Sequence, residues 1–274
     1  MGNPSATQPG AAAPTDLGPR PDQTISRLRW FNLAMGVLHL VQGLAIVALS
    51  NEFRAPVTGS FPDGPPGSPA ELVELFSIPF GWSVAGFLFL SAAAHFVIAG
   101  PAYASYSAQL RRGRNDFRWI EYSLSASLMI VLIALLTGIG DVAALLGLFG
   151  VSAAMILFGL LAERVGQPGE SGGPGGSGWQ LPYWLGTLCG AVPWIAIAIY
   201  LWAPGRDASP PTFVYFIFAT IFVFFDSFAL NFWLQYRRLG RWRSYLFGEV
   251  TYVVLSLVAK SALAWQVFAG ALAS

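Results

Sequence analysis

The sequence predicts an all-α membrane protein, a bundle of seven transmembrane helices with a small β-hairpin in the first outside loop. Three observations lead to this fold class. Only 11% of the residues are charged and 55% are hydrophobic, with a mean hydropathy of +0.57, whereas soluble domains carry about 25% charged residues. Seven apolar segments reach the length of about 20 residues that a bilayer-spanning helix needs. Arginines are concentrated in alternate loops.

The individual elements follow from the apolar runs between polar loops. The predicted spans cover about 25–50, 72–100, 118–137, 141–162, 181–202, 212–236 and 244–273. Residues 1–24 are rich in Pro, Gly, Ala and Thr and lack the apolar core of a signal peptide, which predicts a disordered tail before a transmembrane domain at 25–274. The long loop at about 51–71 has room for the hairpin. The glycine-rich stretch at about 166–178 predicts a flexible linker.

The arginines predict the orientation of the bundle. Twelve of them fall on one side, and only Arg54 and Arg206 fall on the other. Because Lys and Arg accumulate in cytoplasmic loops, the N-terminus is predicted to be cytoplasmic and the C-terminus, after seven spans, outside. The net charge of +1 argues against a nucleic-acid partner. A single cysteine, Cys189, excludes an intrachain disulfide and a cysteine-based metal site.

Lys260 is the only lysine of the chain, and it stands in the middle of the seventh span. Inserting an ammonium group at that depth of the bilayer costs about a few kcal/mol of free energy, so such a residue is expected to have a partner or a function. One interpretation is an ion-paired lysine in the core of a transporter. The other is a lysine that forms a Schiff base with a carbonyl compound, which requires a desolvated amine. Its position alone favours neither.

Further carboxylates accompany this lysine within the spans. Glu121 follows Arg118 by three residues on one helix face, which predicts either an ion pair at the helix start or a counterion for a deeper cation. Glu249 lies three turns before Lys260 on the same face. Asp226 in the sixth span is predicted to be buried and to face the bundle.

Both histidines of the chain also lie in spans. His39 has Gln42 one turn later and Asn32 two turns earlier, and His95 has Ser91 one turn earlier. A lone histidine in a helix is usually a hydrogen-bonded core residue, yet histidine is uncommon within spans. Two histidines without a third ligand argue weakly against a metal site.

Two motifs carry a resemblance to a known family. The third span contains "RWIEYSLSAS" and the seventh contains "SLVAKSALAWQ". With seven spans, a lysine in the last of them and an inverted orientation, the chain resembles the heliorhodopsins over nearly its whole length, apart from the first two dozen residues. The Arg118–Glu121 spacing is similar to the arginine and carboxylate pair of microbial rhodopsins in general.

The resemblance implies a rhodopsin-like architecture with all-trans retinal on Lys260 as a protonated Schiff base and Glu121 as its counterion. Ser256 would lie beside the linkage. Other positions that it implies around the cofactor are Tyr122, Ser125, Phe225 and Trp265. An internal polar cavity that accepts the proton would be formed by His39, His95, Ser91, Gln42 and Asn115. The resemblance also implies a slow photocycle, a homodimer and, as a rule, no clear pumping.

The function that the resemblance implies is light sensing, and we expect no enzymatic activity and no net ion transport. The third span contains no carboxylate beyond Glu121, so an obvious proton donor for a pump is missing there. The predicted partners are retinal, membrane lipid, a second copy of the chain and an unidentified cytoplasmic signalling protein. A light-driven proton pump and a solute transporter using Lys260 and Glu121 as a charge pair remain alternatives.

Overall fold

The computed structural model describes residues 16–166, 178–203 and 209–273. Within these ranges the chain forms eight α-helices and a two-stranded sheet. The helices are α1 Pro21–Leu49, α2 Phe80–Ala99, α3 Tyr103–Arg111, α4 Asp116–Thr137, α5 Val142–Val165, α6 Gln180–Trp202, α7 Thr212–Tyr236 and α8 Tyr245–Val267. A π-helical turn, Phe268–Leu272, continues α8.

The predicted fold class is confirmed, since seven of these helices are long and apolar enough to cross a membrane. The exception is α3, a short helix between α2 and α4 that the apolar pattern did not reveal. The first span starts earlier than predicted, at Pro21, because proline is well suited to the first helical position. Residues 1–15 of the predicted tail and 167–177 of the predicted linker lie outside the described residues.

The hairpin is present, and it is longer than the predicted loop. Strand β1, Arg54–Pro62, pairs antiparallel with strand β2, Ala70–Pro79. Residues 72–79 were predicted to begin the second span but belong to β2, so α2 starts only at Phe80. Pro79 is the physical reason, because the residue before a proline is driven out of the helical conformation. An apolar run alone does not distinguish a strand from a helix start.

The hairpin is attached to the bundle through β1. Ala55 and Val57 of this strand are buried in the main core cluster, and the Thr58 amide donates a hydrogen bond of 2.8 Å to the Gly140 carbonyl. Gly140 lies between α4 and α5. The hairpin is therefore fixed to the loop that joins α4 and α5.

Close packing of α1 on α2 depends on small residues. A Cβ atom at Gly36 would lie 2.8 Å from the Phe96 ring, and one at Gly43 would lie 2.5 Å from the Phe89 ring. Between helices in lipid, van der Waals packing replaces the hydrophobic driving force, and glycine allows that close approach. The packing holds α2 against α1, while α2 also packs on α4 and α8, so residues from these helices meet at the centre.

Candidate functional site

Lys260, Glu121 and Ser91 meet at the centre of the bundle, on α8, α4 and α2. The Lys260 Nζ atom lies 2.7 Å from Glu121 Oε1 and 2.6 Å from Ser91 Oγ. The Ser91 hydroxyl also donates to Glu121 Oε1 at 2.6 Å. Lys260 is only 3% exposed. The ammonium group and the carboxylate therefore form a charge pair shielded from water, with a hydroxyl completing the triangle.

A cavity of about 300 Å³ opens beside this triangle, with Lys260 in its wall. It is lined by residues of α4, α5, α6, α7 and α8, and its walls are mostly aromatic and aliphatic. Four other predicted cofactor-binding residues line it: Tyr122, Ser125, Phe225 and Ser256. The Tyr122 ring centroid lies 5.0 Å from Lys260 Nζ. The structure thus brings one amine, one carboxylate and an apolar chamber together.

The two histidines lie next to each other on α1 and α2. Their rings stack with centroids 5.6 Å apart. His95 Nδ1 lies 2.8 Å from Asn32 Oδ1, and the Asn32 amide donates at 3.2 Å to the Tyr106 hydroxyl. Burial raises the pKa of Tyr106, which lies on α3 outside the spans, to about 12, so this phenol stays protonated at neutral pH. Both ring nitrogens of His39 are buried without a hydrogen-bond partner among the described residues.

Three of the predicted residues lie elsewhere. Trp265 is 39% exposed and does not line the cavity; its indole N–H donates at 3.0 Å to the Gln42 side chain. The Gln42 side chain therefore joins α1 to α8. Asn115 caps α4, accepting from the Arg118 amide at 3.2 Å, and its side-chain amide donates to Glu249. Gln42 and Asn115 therefore make contacts between helices, and neither forms a hydrogen bond with either histidine among the described residues.

Arg118 does not pair with Glu121 in the structure. Its guanidinium instead forms ion pairs with Glu163, at 2.7 Å, and with Glu249. The Glu163 carboxylate also accepts hydrogen bonds from the Trp119 indole at 2.7 Å and the Tyr245 hydroxyl at 3.2 Å. Sequence reasoning missed Glu163, although an acid in the last turn of a span was a signal. This buried cluster joins α4, α5 and α8.

Asp226 also differs from expectation. It was predicted to be buried and to face the bundle, but the structure places it on the exposed surface of α7, where it also lines the edge of the cavity. The helix is apolar on all sides around it, so periodicity gave no indication of which face turns outward. The cavity therefore reaches the surface of the bundle at this acid.

A sequence model of the heliorhodopsin family matches residues 28–272. The chain belongs to the heliorhodopsin family. This membership implies a photoactive membrane protein with a retinal chromophore. A search of curated protein sequences found no match.

The residues present in this heliorhodopsin fit a retinal chromophore. A volume of about 300 Å³ lies at the lower end of the range for small-molecule pockets, which is about 300–1,000 Å³. Aromatic rings such as Trp194 and Phe225, whose centroids are 5.5 Å apart, provide a rigid apolar wall. Lys260 would supply the amine that an aldehyde needs, and Glu121 would supply an anion beside it.

Proposed function

We propose that this heliorhodopsin is a light sensor that carries all-trans retinal on Lys260 as a protonated Schiff base, with Glu121 as counterion. The observation that carries the proposal is the only lysine of the chain, 2.7 Å from a buried carboxylate in the wall of an apolar cavity. When bound, retinal supplies absorption of visible light and the isomerisation that follows. The surrounding side chains stabilise the positive charge of the Schiff base and accept the proton that it releases.

Glu121 and Ser91 act together on the positive charge. A cation at this depth needs a nearby anion, because the bilayer interior cannot solvate it. Ser91 contacts both partners, and its hydroxyl donates a hydrogen bond to the carboxylate, which holds Glu121 in one orientation. An opposite charge within a few ångströms favours the protonated form of the linkage. We therefore assign Ser91 to positioning the counterion.

The histidine pair is suited to hold a proton released near Lys260. Ser91 and His95 lie four residues apart on the same face of α2, which connects the charge pair to the histidines. His39 offers two ring nitrogens that bond to no described residue. In α4, no carboxylate follows Glu121 towards the other end of the helix. We infer that the proton stays inside the bundle and that no net charge crosses the membrane.

Reconstitution with retinal tests the proposal. The chain is produced without retinal, and its visible spectrum is recorded before and after all-trans retinal is added. We expect a visible band only after addition. No band under any condition would favour the solute transporter. In a suspension of cells carrying the pigment, illumination should leave the external pH unchanged; a sustained pH change that an uncoupler abolishes would establish the pump instead.

His95→Phe should change the photocycle more than the dark spectrum. The His95 ring is hydrogen-bonded to Asn32, whereas Lys260 is bonded to Ser91 and Glu121, so we expect little change in the dark absorption band. Loss of a positioned proton acceptor should slow the proton-transfer step by about a hundredfold. Flash photolysis of the near-ultraviolet species measures this. A large dark shift with unchanged kinetics would contradict the assignment of the histidines.

Tags at the two termini test the proposed orientation. Because twelve arginines lie on the proposed cytoplasmic side and two on the other, a tag after Ser274 should react with a non-permeant reagent on intact cells. A tag before Met1 should react only after the cells are opened. The reverse pattern would invert the topology. It would also move the arginine-rich face, which we propose as the docking side for a signalling protein, to the outside.

A further inference from the structure

Aromatic side chains of α6 and α7 pack against each other on both sides of a gap between the two helices, which we call the window. At one end the Tyr183 ring stacks on Phe232, with centroids 5.7 Å apart. At the other end Trp194 packs against Phe222 at 5.3 Å and Phe225 at 5.5 Å. Between these contacts, the positions of α6 that line the cavity carry only small side chains: Gly186, Thr187, Gly190 and Ala191. Aromatic contacts therefore lie on both sides of a segment of α6 that presents only small side chains to the cavity.

The cavity that contains Lys260 reaches the surface through this window. Thr187, Ala191 and Asp226 line the cavity and are all exposed. Asp226 lies 10 residues from one end of α7 and 14 from the other, which is about 15 Å and about 21 Å along the helix. The carboxyl group of Asp226 therefore lies at the depth of the lipid hydrocarbon, at the mouth of the ligand cavity.

The neighbouring hydroxyls do not satisfy this acid. Thr187 donates to the Tyr183 carbonyl at 2.9 Å, and the Tyr183 hydroxyl donates to the Ala229 carbonyl at 3.5 Å. Within the described part of the chain, no hydrogen bond or ion pair to Asp226 is present. Lipid tails offer no hydrogen bonds at this depth. A polar group at the mouth of the cavity would therefore supply the hydrogen bond that the described residues do not.

We propose that the cavity takes a retinal whose ring carries a hydroxyl group, with Asp226 as the hydrogen-bond partner of that hydroxyl. The inference rests on the proposed function for the Lys260 end and adds a polar determinant at the window. Lipid head groups do not reach this depth, and the carboxyl group lines the same chamber as the amine. A site built to bond a hydroxyl discriminates against the analogue that lacks it.

Competition between two retinals tests this determinant. The retinal-free protein is incubated with an equimolar mixture of all-trans retinal and all-trans 3-hydroxyretinal, and the bound chromophores are extracted and quantified by chromatography. We expect an enrichment of the hydroxylated form by about three- to tenfold, the factor that one net hydrogen bond supplies. In Asp226→Leu the enrichment should disappear, while Asp226→Asn should retain part of it. Both variants should still bind retinal.

Ser227→Ala is the matched control, because Ser227 neighbours Asp226 on α7, bonds to the Val223 carbonyl and does not line the cavity. It should keep the enrichment of the unmutated protein. Equal uptake of the two retinals by the unmutated protein would overturn the inference, although pigment formation would leave the proposed function intact. Loss of dimers in Asp226→Leu with an unchanged chromophore ratio would also overturn it, by assigning the acid to a contact between copies. Absence of pigment with either retinal would remove the proposed function itself.

Discussion

Lys260→Ala should abolish the pigment completely. The chain contains no other lysine, so no other side chain can form the covalent linkage, and free retinal in the cavity would show no visible band from a protonated Schiff base. Lys260→Arg should also give no pigment, because a guanidinium keeps its proton and does not form the imine. The visible spectrum after addition of all-trans retinal measures both results.

Chemical reduction provides the control for this experiment. Borohydride treatment of the unmutated pigment should fix the retinyl group on Lys260, and peptide mass analysis locates it. The Ala variant should still fold, since removing the amine leaves Glu121 with the Ser91 hydroxyl as a partner. Residual pigment in folded Lys260→Ala, or a retinyl group on another residue, would disprove the assignment.

Glu121→Gln should produce the second largest effect, on the colour and on its pH dependence. Removing the anion 2.7 Å from Nζ destabilises the protonated linkage, so its visible band should convert to a near-ultraviolet band at a pH about one to three units lower. Where the linkage stays protonated, the band should move to the red, because the anion no longer holds the charge at the nitrogen. A spectrophotometric pH titration measures both effects.

Two other acids serve as comparisons for Glu121. Glu249→Gln removes an acid that pairs with Arg118 rather than with Lys260, and Asp226→Asn changes one at the mouth of the cavity. Both should keep a titration close to that of the unmutated pigment. If Glu121→Gln left the spectrum unchanged while one of these shifted it, the counterion would be that other acid.

The seven spans and the central charge pair were predictable because both depend on strong local signals. An apolar run of about 20 residues has few alternatives in a membrane protein. A lysine and a glutamate in mid-span need partners in the bundle. With one lysine available, Glu121 was an obvious candidate from sequence and resemblance, and the structure places the two side chains 2.7 Å apart.

The remaining parts of the site depend on contacts between residues distant in sequence. Arg118 is three residues from Glu121, yet its partners are 45 and 131 residues away, and nothing in the local pattern identifies them. Asp226 stands on an evenly apolar helix, which hides the outward face. The start of α2 was missed for a different reason: Pro79 was visible, but the apolar alternation of β2 before it was interpreted as helix.

The two buried charge clusters have a consequence for the assembly of the bundle. Glu121, Arg118 and Glu163 belong to α4 and α5, while Lys260 and Glu249 both belong to α8. Because synthesis proceeds from the N-terminus, the earlier helices enter the bilayer before the lysine that balances Glu121 exists. The last helix then supplies one charged partner to each cluster. Docking of α8 therefore supplies the cation for Glu121, a second carboxylate for Arg118 and the last wall of the cavity in one step, so a chain stalled before it would hold Glu121 in the bilayer without its cation.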